Sequence, residues 1–261
     1  MALIRGAISV ALDGGVHAAW TDSSRGDLRP AGHGPDDGAR LTSVATDVAG
    51  GSGSRVDLVA WASQVHGPGV VGVSRRPATG GGGGGKGGER RAACSNVGEY
   101  DALVASAPGI ALCVLTADCG ALALSSPEGI FAAVHVGWRG LLAGVVEASV
   151  RLMREQGATD VVGSLGPCIH AECYGFSPPD LDDAASVYGD HVRGLTSDGH
   201  PALDLQAGIG TALEAVGART VDGVDRCTAC GDGYFSHRAR GDVGRQALVV
   251  WSTGATGGTG R

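Results

Sequence analysis

The sequence predicts an α+β fold in a single domain, on three observations. Short apolar segments of strand length occur in adjacent pairs as well as beside segments with the 3.6-residue period of a helix. The chain has 261 residues, of which 43% are hydrophobic, so it can bury a sizeable core. The printed sequence contains no phosphate-binding loop and no dinucleotide fingerprint, which argues against a doubly wound sheet.

Seven strands are predicted, because short apolar runs rich in β-branched residues are bounded by turn-forming residues. They span residues 56–61, 69–73, 110–115, 121–124, 130–136, 160–165 and 247–251. Turns at residues 63–68 and 125–129 join the first pair and the fourth and fifth strands. Between the second and third strands, residues 80–88 hold eight glycines and one lysine. With few side chains to bury, that run predicts a flexible surface loop.

Three helices are predicted, and the best defined of them follows the fifth strand. Apolar residues recur there at helical spacing from Leu141 to Met153, and Gly157 stands where a C-cap belongs. The other two helices are predicted at residues 180–192 and 205–216.

Two segments carry no predicted element. Residues 22–55 are polar, Gly-rich and weakly periodic. The last segment, residues 252–261, is rich in Gly and Thr and predicts a disordered tail. Residues 1–251 are therefore taken as the folded domain.

Charge and hydropathy exclude several classes of partner. There are 20 Lys and Arg against 27 Asp and Glu, a net charge of −7, and no basic run offers a surface for nucleic acid or an anionic membrane. The longest apolar stretches have strand length, far short of the roughly 20 residues of a membrane-spanning helix. The N-terminus lacks a signal-peptide pattern, so we expect a cytoplasmic protein. The oligomeric state has no signature in the sequence.

Three segments place metal-competent side chains at the ends of predicted strands, namely His66, Cys119 and His135. The seven cysteines, an odd number in a chain of this length, favour such a site over a disulfide framework. Two imidazoles and a thiolate suit zinc, with a fourth position left for water or substrate. Spacing alone leaves another interpretation open, in which His66 lies in an exposed turn, Cys119 is a small core residue and His135 is a hydrogen-bonded core histidine.

Five ordered blocks of sequence carry a more specific signal. They are QVHG at 64–67, DALV at 101–104 with PG at 108–109 and LTADC at 115–119, HVGWRG at 135–140, GPCI at 166–169 with CY at 173–174, and CT at 227–228 with YFS at 234–236, Arg238 and GR at 244–245. In this order they resemble the laccase-domain family, also called the polyphenol oxidase or YfiH-like family of purine nucleoside enzymes.

The resemblance implies a layered α/β/β/α sandwich and a zinc ion held by His66, Cys119 and His135. It implies phosphorolysis of adenosine, inosine and methylthioadenosine to the free base and ribose 1-phosphate, with adenosine deamination as a second activity. The expected partners are therefore a purine nucleoside and phosphate. Because a fold does not fix a substrate, two alternatives stay open: a hydrolase of the same fold that edits peptidoglycan precursors, and a catalytically degenerate binding protein.

Four further residues receive provisional roles. Asp118, beside Cys119, is a candidate to orient a ligand or to shuttle a proton. Arg139 and Arg238 are candidates for phosphate binding, because a guanidinium presents a bidentate fork. Gln64 is a candidate to hydrogen-bond the base or the ribose. Arg139 pairing with a surface acid and Gln64 stabilising its own turn are the structural alternatives.

Other catalytic interpretations fit the sequence less well. His170 and Glu172 with Cys227 and Cys230 loosely match the zinc deaminase pattern, but Arg226 stands where that pattern requires proline. Cys227 and Cys230 alone lack a second ligand pair, so we expect partly buried free thiols there. The eight histidines form no HxH pair, which argues against a multinuclear copper centre. Cys119 as a covalent nucleophile activated by a histidine is a further alternative.

Overall fold

The computed structural model describes residues 1–4, 6–30, 38–74 and 92–254. Its strands are β1 (Ala2–Ile4), β2 (Ala7–Ala11), β3 (Val16–Thr21), β4 (Leu58–Ser63), β5 (Val70–Gly72), β6 (Ala93–Glu99), β7 (Ala102–Ala105), β8 (Ile110–Thr116), β9 (Gly120–Ser125), β10 (Phe131–Val136), β11 (Val162–Leu165), β12 (Arg193–Leu195), β13 (Pro201–Leu203), β14 (Arg219–Thr220) and β15 (Gln246–Ser252). Its helices are α1 (Ala39–Gly50), α2 (Trp138–Leu142), α3 (Val145–Glu155), α4 (Pro178–Tyr188), α5 (Leu205–Ala215) and α6 (His237–Arg240).

Two large mixed sheets are stacked face to face. The first has the strand order β1-β2-β3-β15-β8-β4-β6, and the second β14-β11-β9-β10-β7-β5. Side chains such as Trp20, Leu112 and Phe131 fill the space between them. Burial of these apolar faces is the main favourable contribution to the packing of the sheets.

Helices cover the outer face of each sheet. The apolar side of α1 packs on the first sheet through Leu41, Val44 and Val48. The apolar sides of α3, α4 and α5 pack on the second sheet, with Met153 and Ile209 fully buried. The layers therefore run helix, sheet, sheet, helix, and the predicted α/β/β/α sandwich is confirmed.

All seven predicted strands are present, with bounds shifted by one or two residues. The prediction of one long helix from Leu141 was wrong in part: α2 and α3 are separate, because Gly144 adopts a left-handed conformation between them (φ +85°). The predicted helix at 180–192 ends at Tyr188, and a 3-10 turn, Asp190–Val192, follows.

Four of the elements that were not predicted, β1 to β3 and α1, lie in the N-terminal third. The others are β6, β7, β12, β13, β14 and α6. Strands β1 to β3 have mixed, Ala-rich patterns, and α1 lies inside the unassigned residues 22–55. Its apolar face consists mainly of Ala and Val, which give a weak helical period.

The ends of the predicted domain fall partly outside the described residues. Strand β15 continues to Ser252, which is buried, one residue into the predicted tail. The Gly-rich run at 80–88 and residues 255–261 lie outside the described residues. Among the described helices, none combines the length and apolar character that a membrane span requires.

Candidate metal centre and cleft

Strand register brings three separated segments to one edge of the second sheet. In the antiparallel β9–β10 pair, Ala121 lies opposite His135, so Cys119, just before β9, approaches the end of β10. Strand β7 pairs with the other side of β10, and the His135 N–H donates to the Asp101 carbonyl. The turn that carries His66 leads into β5, which pairs with β7. The sheet therefore places His66, Cys119 and His135 together.

The three predicted ligands form one compact group. Their ligand atoms all lie within 4.8 Å of one another. The Cys119 sulfur is 3.7 Å from His66 Nε2, and the two imidazole rings are edge to face with centroids 4.8 Å apart. His135 is buried, Cys119 is partly buried and His66 is exposed. The group is thus anchored in the protein on one side and open to solvent on the other.

Asp101 is buried and ties two of these segments together. One carboxylate oxygen accepts a hydrogen bond from His135 Nδ1 at 2.8 Å, which directs Nε2 of that ring towards Cys119. The carboxylate also accepts the backbone N–H groups of His66 at 3.0 Å and Gly67 at 2.7 Å. Burial raises the Asp101 pKa, but these donors outweigh it and hold the pKa below its usual range. Asp101 is therefore an anion that orients both histidines.

The thiol is electrostatically activated by the same neighbours. Burial raises the pKa of Cys119, but the imidazoles of His135 and His66 outweigh it and lower the pKa to about 6. Burial lowers the pKa of His135, whereas the Cys119 thiolate and the Asp101 carboxylate raise it to about 9. A thiolate is the form of cysteine that ligates a metal. Because only a neutral imidazole ligates, metal binding here releases the His135 proton.

Gly137 leaves the space that the group needs. A Cβ at this position would overlap the His66 imidazole and lie 3.4 Å from the Cys119 sulfur. A side chain here would therefore fill the region between two ligands. This space, with two imidazoles and one thiolate around it, fits a borderline or soft divalent metal ion with an open coordination position.

Backbone strain marks both ligand loops. Among the described non-glycine residues, His66 and Asp118 are the two with positive φ, at +59° and +96°. The hydrogen bond from the His66 N–H to Asp101 holds the first. The buried Asp118 carboxylate accepts from the Thr228 hydroxyl at 2.7 Å and from the Arg238 N–H at 2.7 Å. Strained residues of this kind persist where the surrounding structure fixes them, as at binding and catalytic sites.

A cleft of about 630 Å³ opens over His66, Cys119 and His135, which we call the metal group. Its volume is within the size range of small-molecule sites. Besides the three ligands, its lining includes Arg29, Trp61, Asn96, His237 and Arg245. The cleft is thus bordered by an aromatic ring, an amide and cationic side chains, which suits an anionic or polar ligand with a flat apolar part.

Gln64 lines this cleft, but its amide is engaged by the backbone. Its nitrogen donates to the Leu115 carbonyl at 2.6 Å, and its oxygen accepts the Leu115 N–H at 2.8 Å. These two contacts join the turn of His66 to the end of β8. The Gln64 amide thus binds a partner outside its own turn, and its predicted role towards the base or the ribose stays a prediction.

Arg139 and Arg238 do not line the cleft. The Arg139 guanidinium lies over the Trp138 ring, 4.4 Å from its centroid. The Arg238 guanidinium lies over the Tyr174 ring at 4.8 Å, and one of its nitrogens donates to the Gly175 carbonyl. Both arginines are exposed, and their charges, like that of Cys119, act on the Tyr174 phenol. They form two cation–aromatic pairs on segments that adjoin His135 and Asp118.

Several residues of the site carried no predicted role. Asp101 lies in the DALV block, yet nothing local to that block shows that the carboxylate meets a histidine 34 positions away. Gly137 follows His135 by two residues in the sequence, and only the fold places it against the His66 and Cys119 side chains, where it leaves room for them. Arg29 comes from a stretch without a predicted element. A buried acid just before an apolar strand was the one available signal, because such an acid requires a partner.

Comparisons with known proteins identify relatives of this chain. A family model described as "Multi-copper polyphenol oxidoreductase laccase" matches residues 14–253. A protein of Streptomyces coelicolor named purine nucleoside phosphorylase is 33% identical over 251 residues, which cover 91% of this chain and 96% of the relative. A Mycobacterium tuberculosis protein of the same name is 32% identical over 222 residues, 84% of this chain and 82% of the relative.

Solved structures show the same fold. A Neisseria meningitidis protein superposes with a TM-score of 0.71 at 24% identity, covering 95% of this chain and all of that one. YlmD from Geobacillus stearothermophilus superposes with a TM-score of 0.70 at 25% identity, covering 91% and 92% of the two chains. With the family model matched over nearly the whole described chain and relatives above 30% identity, this chain belongs to the laccase-domain, YfiH-like family.

Proposed function

We propose that this protein is a zinc-dependent purine nucleoside phosphorylase. The observation that carries the proposal is the group of His66, Cys119 and His135, which has an exposed side facing a cleft of nucleoside size. The names of the relatives from Streptomyces coelicolor and Mycobacterium tuberculosis support the same activity. Three protein ligands and one open position are typical of catalytic rather than structural zinc.

The donor set favours zinc over a multinuclear copper centre. Neither potential metal group among the described residues contains more than two histidines. One thiolate and two neutral imidazoles match the ligand preferences of zinc. When bound, zinc would act as a Lewis acid that polarises an oxygen or nitrogen of the substrate.

The residues of the site would share the remaining work. In phosphorolysis a phosphate oxygen forms a bond to C1′ of the ribose as the C1′–N9 bond breaks. The bond's electron pair and a proton from solvent go to the departing base. Asp101 would hold His135 and the His66 turn rigid, and Trp61 and Asn96 border the cleft where the base and ribose would lie. Rigid placement of this kind lowers the barrier by orientation.

Phosphate would bind at Arg139 and Arg238. Both guanidinium groups are exposed and stacked on aromatic rings, which fixes them in place at a low entropic cost. Arg139 follows His135 by four residues, and the Arg238 backbone binds Asp118, the neighbour of Cys119, so both arginines belong to segments that adjoin the ligands. Asp118 would contribute by accepting the Arg238 N–H, so that the arginine starts from a fixed backbone.

The test combines metal analysis with turnover on the purified protein and Cys119→Ala. The proposal expects zinc bound at the Cys119 group and phosphate-dependent release of adenine and hypoxanthine from adenosine and inosine, with methylthioadenosine as a third substrate. The substitution would abolish both metal binding at that group and turnover. A protein that holds zinc there and leaves every nucleoside intact would refute the activity. Ammonia release without phosphate in the same assay would reveal the adenosine deamination that the resemblance implies.

A further inference from the structure

We propose that a second group, formed by Cys173, Cys227, Cys230 and Glu172, is a structural metal site of the zinc type. The four ligand atoms all lie within 4.8 Å of one another. The sequence placed Glu172 with Cys227 and Cys230 only in a poorly matching deaminase pattern. The fold brings the Cys173 thiol, from the segment after β11, into the same group. The site lies outside the group of His66, Cys119 and His135, and the proposal does not depend on the proposed enzymatic function.

The loop of Cys227 and Cys230 has the backbone form of a metal-binding turn. The Cys227 sulfur receives the His170 N–H at 3.5 Å, and the N–H groups of Cys230 and Ala229 also point to it. The Gly231 N–H donates to the Cys227 carbonyl at 3.0 Å, closing the turn. A Cβ on Gly231 would overlap that carbonyl oxygen, so the turn requires glycine directly after the second cysteine. N–H groups directed at a sulfur stabilise a thiolate, which is the ligating form.

Backbone hydrogen bonds help to hold the segment of Cys173 against this loop. The Cys168 N–H donates to the Arg226 carbonyl at 3.2 Å, and the Thr228 N–H donates to the Cys168 carbonyl at 3.0 Å. Cys173 follows in a 3-10 turn, Ala171–Cys173. The hydrogen bonds of the chain itself therefore bring the ligands close together, which lowers the entropic cost of binding an ion.

The spacing suits a tetrahedral ion. A zinc–sulfur bond of roughly 2.3 Å gives sulfur atoms roughly 3.8 Å apart in a tetrahedron. Closing the group from separations of at most 4.8 Å takes side-chain rotation only, because Cys230 and Glu172 are exposed. His170 Nδ1 lies 3.5 Å from the Glu172 carboxylate and supports it from outside. Three thiolates and one carboxylate fill all four positions, so the site is closed and structural rather than catalytic.

An ion here would fix the loop that supports the candidate active centre. Thr228 lies between the two cysteines of the turn, and its hydroxyl donates to Asp118, the neighbour of Cys119. Arg240 also binds this loop through the carbonyls of Ala229 and Thr228. The proposed ion is thus a clamp that positions Asp118 and does not touch substrate.

The test is the metal content per chain of the full-length protein, measured by elemental analysis, in a set of variants. The proposal expects one equivalent for each group in the unchanged protein, with Cys230→Ser and Cys119→Ser each losing one and the double variant losing both. Cys94→Ser, outside both groups, is the matched control and keeps all metal. Cys230→His keeps a zinc-binding side chain at this position, so it should hold the second equivalent of metal that Cys230→Ser loses.

Two results would overturn the proposal. One is equal metal content in the unchanged protein and Cys230→Ser, with Cys173, Cys227 and Cys230 all alkylated freely. The other is a disulfide among these cysteines in protein purified under reducing conditions. Because Cys230 is exposed, its serine variant is expected to fold, which near-ultraviolet circular dichroism checks. If Cys119→Ser loses metal and Cys230→Ser does not, this proposal fails while the metal site of the proposed function stands.

Discussion

His135 and Asp101 form a buried pair whose 2.8 Å hydrogen bond aligns one metal ligand while the same carboxylate binds the backbone of the turn that carries another. One acid thus sets the geometry of two ligands that lie 69 positions apart in the sequence, at His66 and His135. We expect the metal affinity of the centre to depend on Asp101 and on the space left by Gly137.

Asp101→Asn should weaken metal binding without removing a ligand. The amide keeps the size of the side chain but loses the charge and one acceptor for the N–H groups of the turn. Loss of such an outer partner typically lowers metal affinity roughly 10- to 100-fold. Competition with a chromogenic chelator measures the change. Asp183→Asn, at an exposed position of α4, is the control and should leave the affinity unchanged.

Gly137→Ala should displace His66, because its new methyl group would occupy the position of that ring. We expect reduced metal affinity and reduced turnover from a protein that is still folded. Gly210→Ala is the matched control, since a methyl group in that helix meets nothing within 4 Å and should be neutral or stabilise by about 0.5–1 kcal/mol. Unaltered metal affinity in Gly137→Ala would contradict the geometry.

Arg238→Ala and Arg139→Ala should each raise the KM for phosphate. A charge-assisted hydrogen bond contributes about 1.5–3 kcal/mol, which corresponds to roughly a 10- to 100-fold change. The KM for nucleoside should move much less. Steady-state kinetics with each substrate varied in turn provide the measurement, with Arg151→Ala on the exposed side of α3 as control. Unchanged phosphate dependence in both variants would move the phosphate site to the cleft, where Arg29 and Arg245 lie.

Thr228→Val should destabilise the protein by roughly 1–3 kcal/mol, because the buried Asp118 carboxylate loses a hydroxyl donor. Thr228→Ser keeps the hydroxyl and should recover most of that loss. Denaturant unfolding of the three proteins measures the difference. Equal stability of the valine and serine variants would show that the contact with Asp118 contributes nothing to stability.

Chelator treatment distinguishes a metal ligand from a covalent nucleophile at Cys119. If Cys119 binds zinc, a strong chelator removes activity, zinc restores it, and the bound thiolate resists alkylation until the metal leaves. If Cys119 is a free nucleophile, chelator leaves turnover intact and alkylation abolishes it. Timed alkylation with and without chelator, followed by mass spectrometry of the Cys119 peptide, separates the two.

The apolar strands at the middle of both sheets and the three candidate ligands were predictable from sequence because their signals are local. Strand β8 is a continuous apolar run, and the ligands of the first group lie in blocks that resemble a known family. By contrast, the role of Asp101 and the space at Gly137 arise from strand pairing between distant segments, and no short window of sequence contains that information.

The arginine prediction shows a different limit. Residue type suggested Arg139 and Arg238 as anion binders, which stays a prediction, but the sequence could not show that Arg29 and Arg245 border the cleft. Arg29 follows a short 3-10 turn in a segment whose polar, Gly-rich sequence predicts nothing regular. Placement of a long charged side chain depends on such segments, where local periodicity is weakest.

The pairing of Ala121 with His135 has a consequence for the assembly of the protein. Side chains alternate between the two faces of a strand, so a shift of one residue in this pair would turn His135 to the opposite face of the sheet. A chain with that error would lack the ligand set. A metal ion bound at this centre would therefore stabilise only molecules with the correct strand register, because only they present all three ligands.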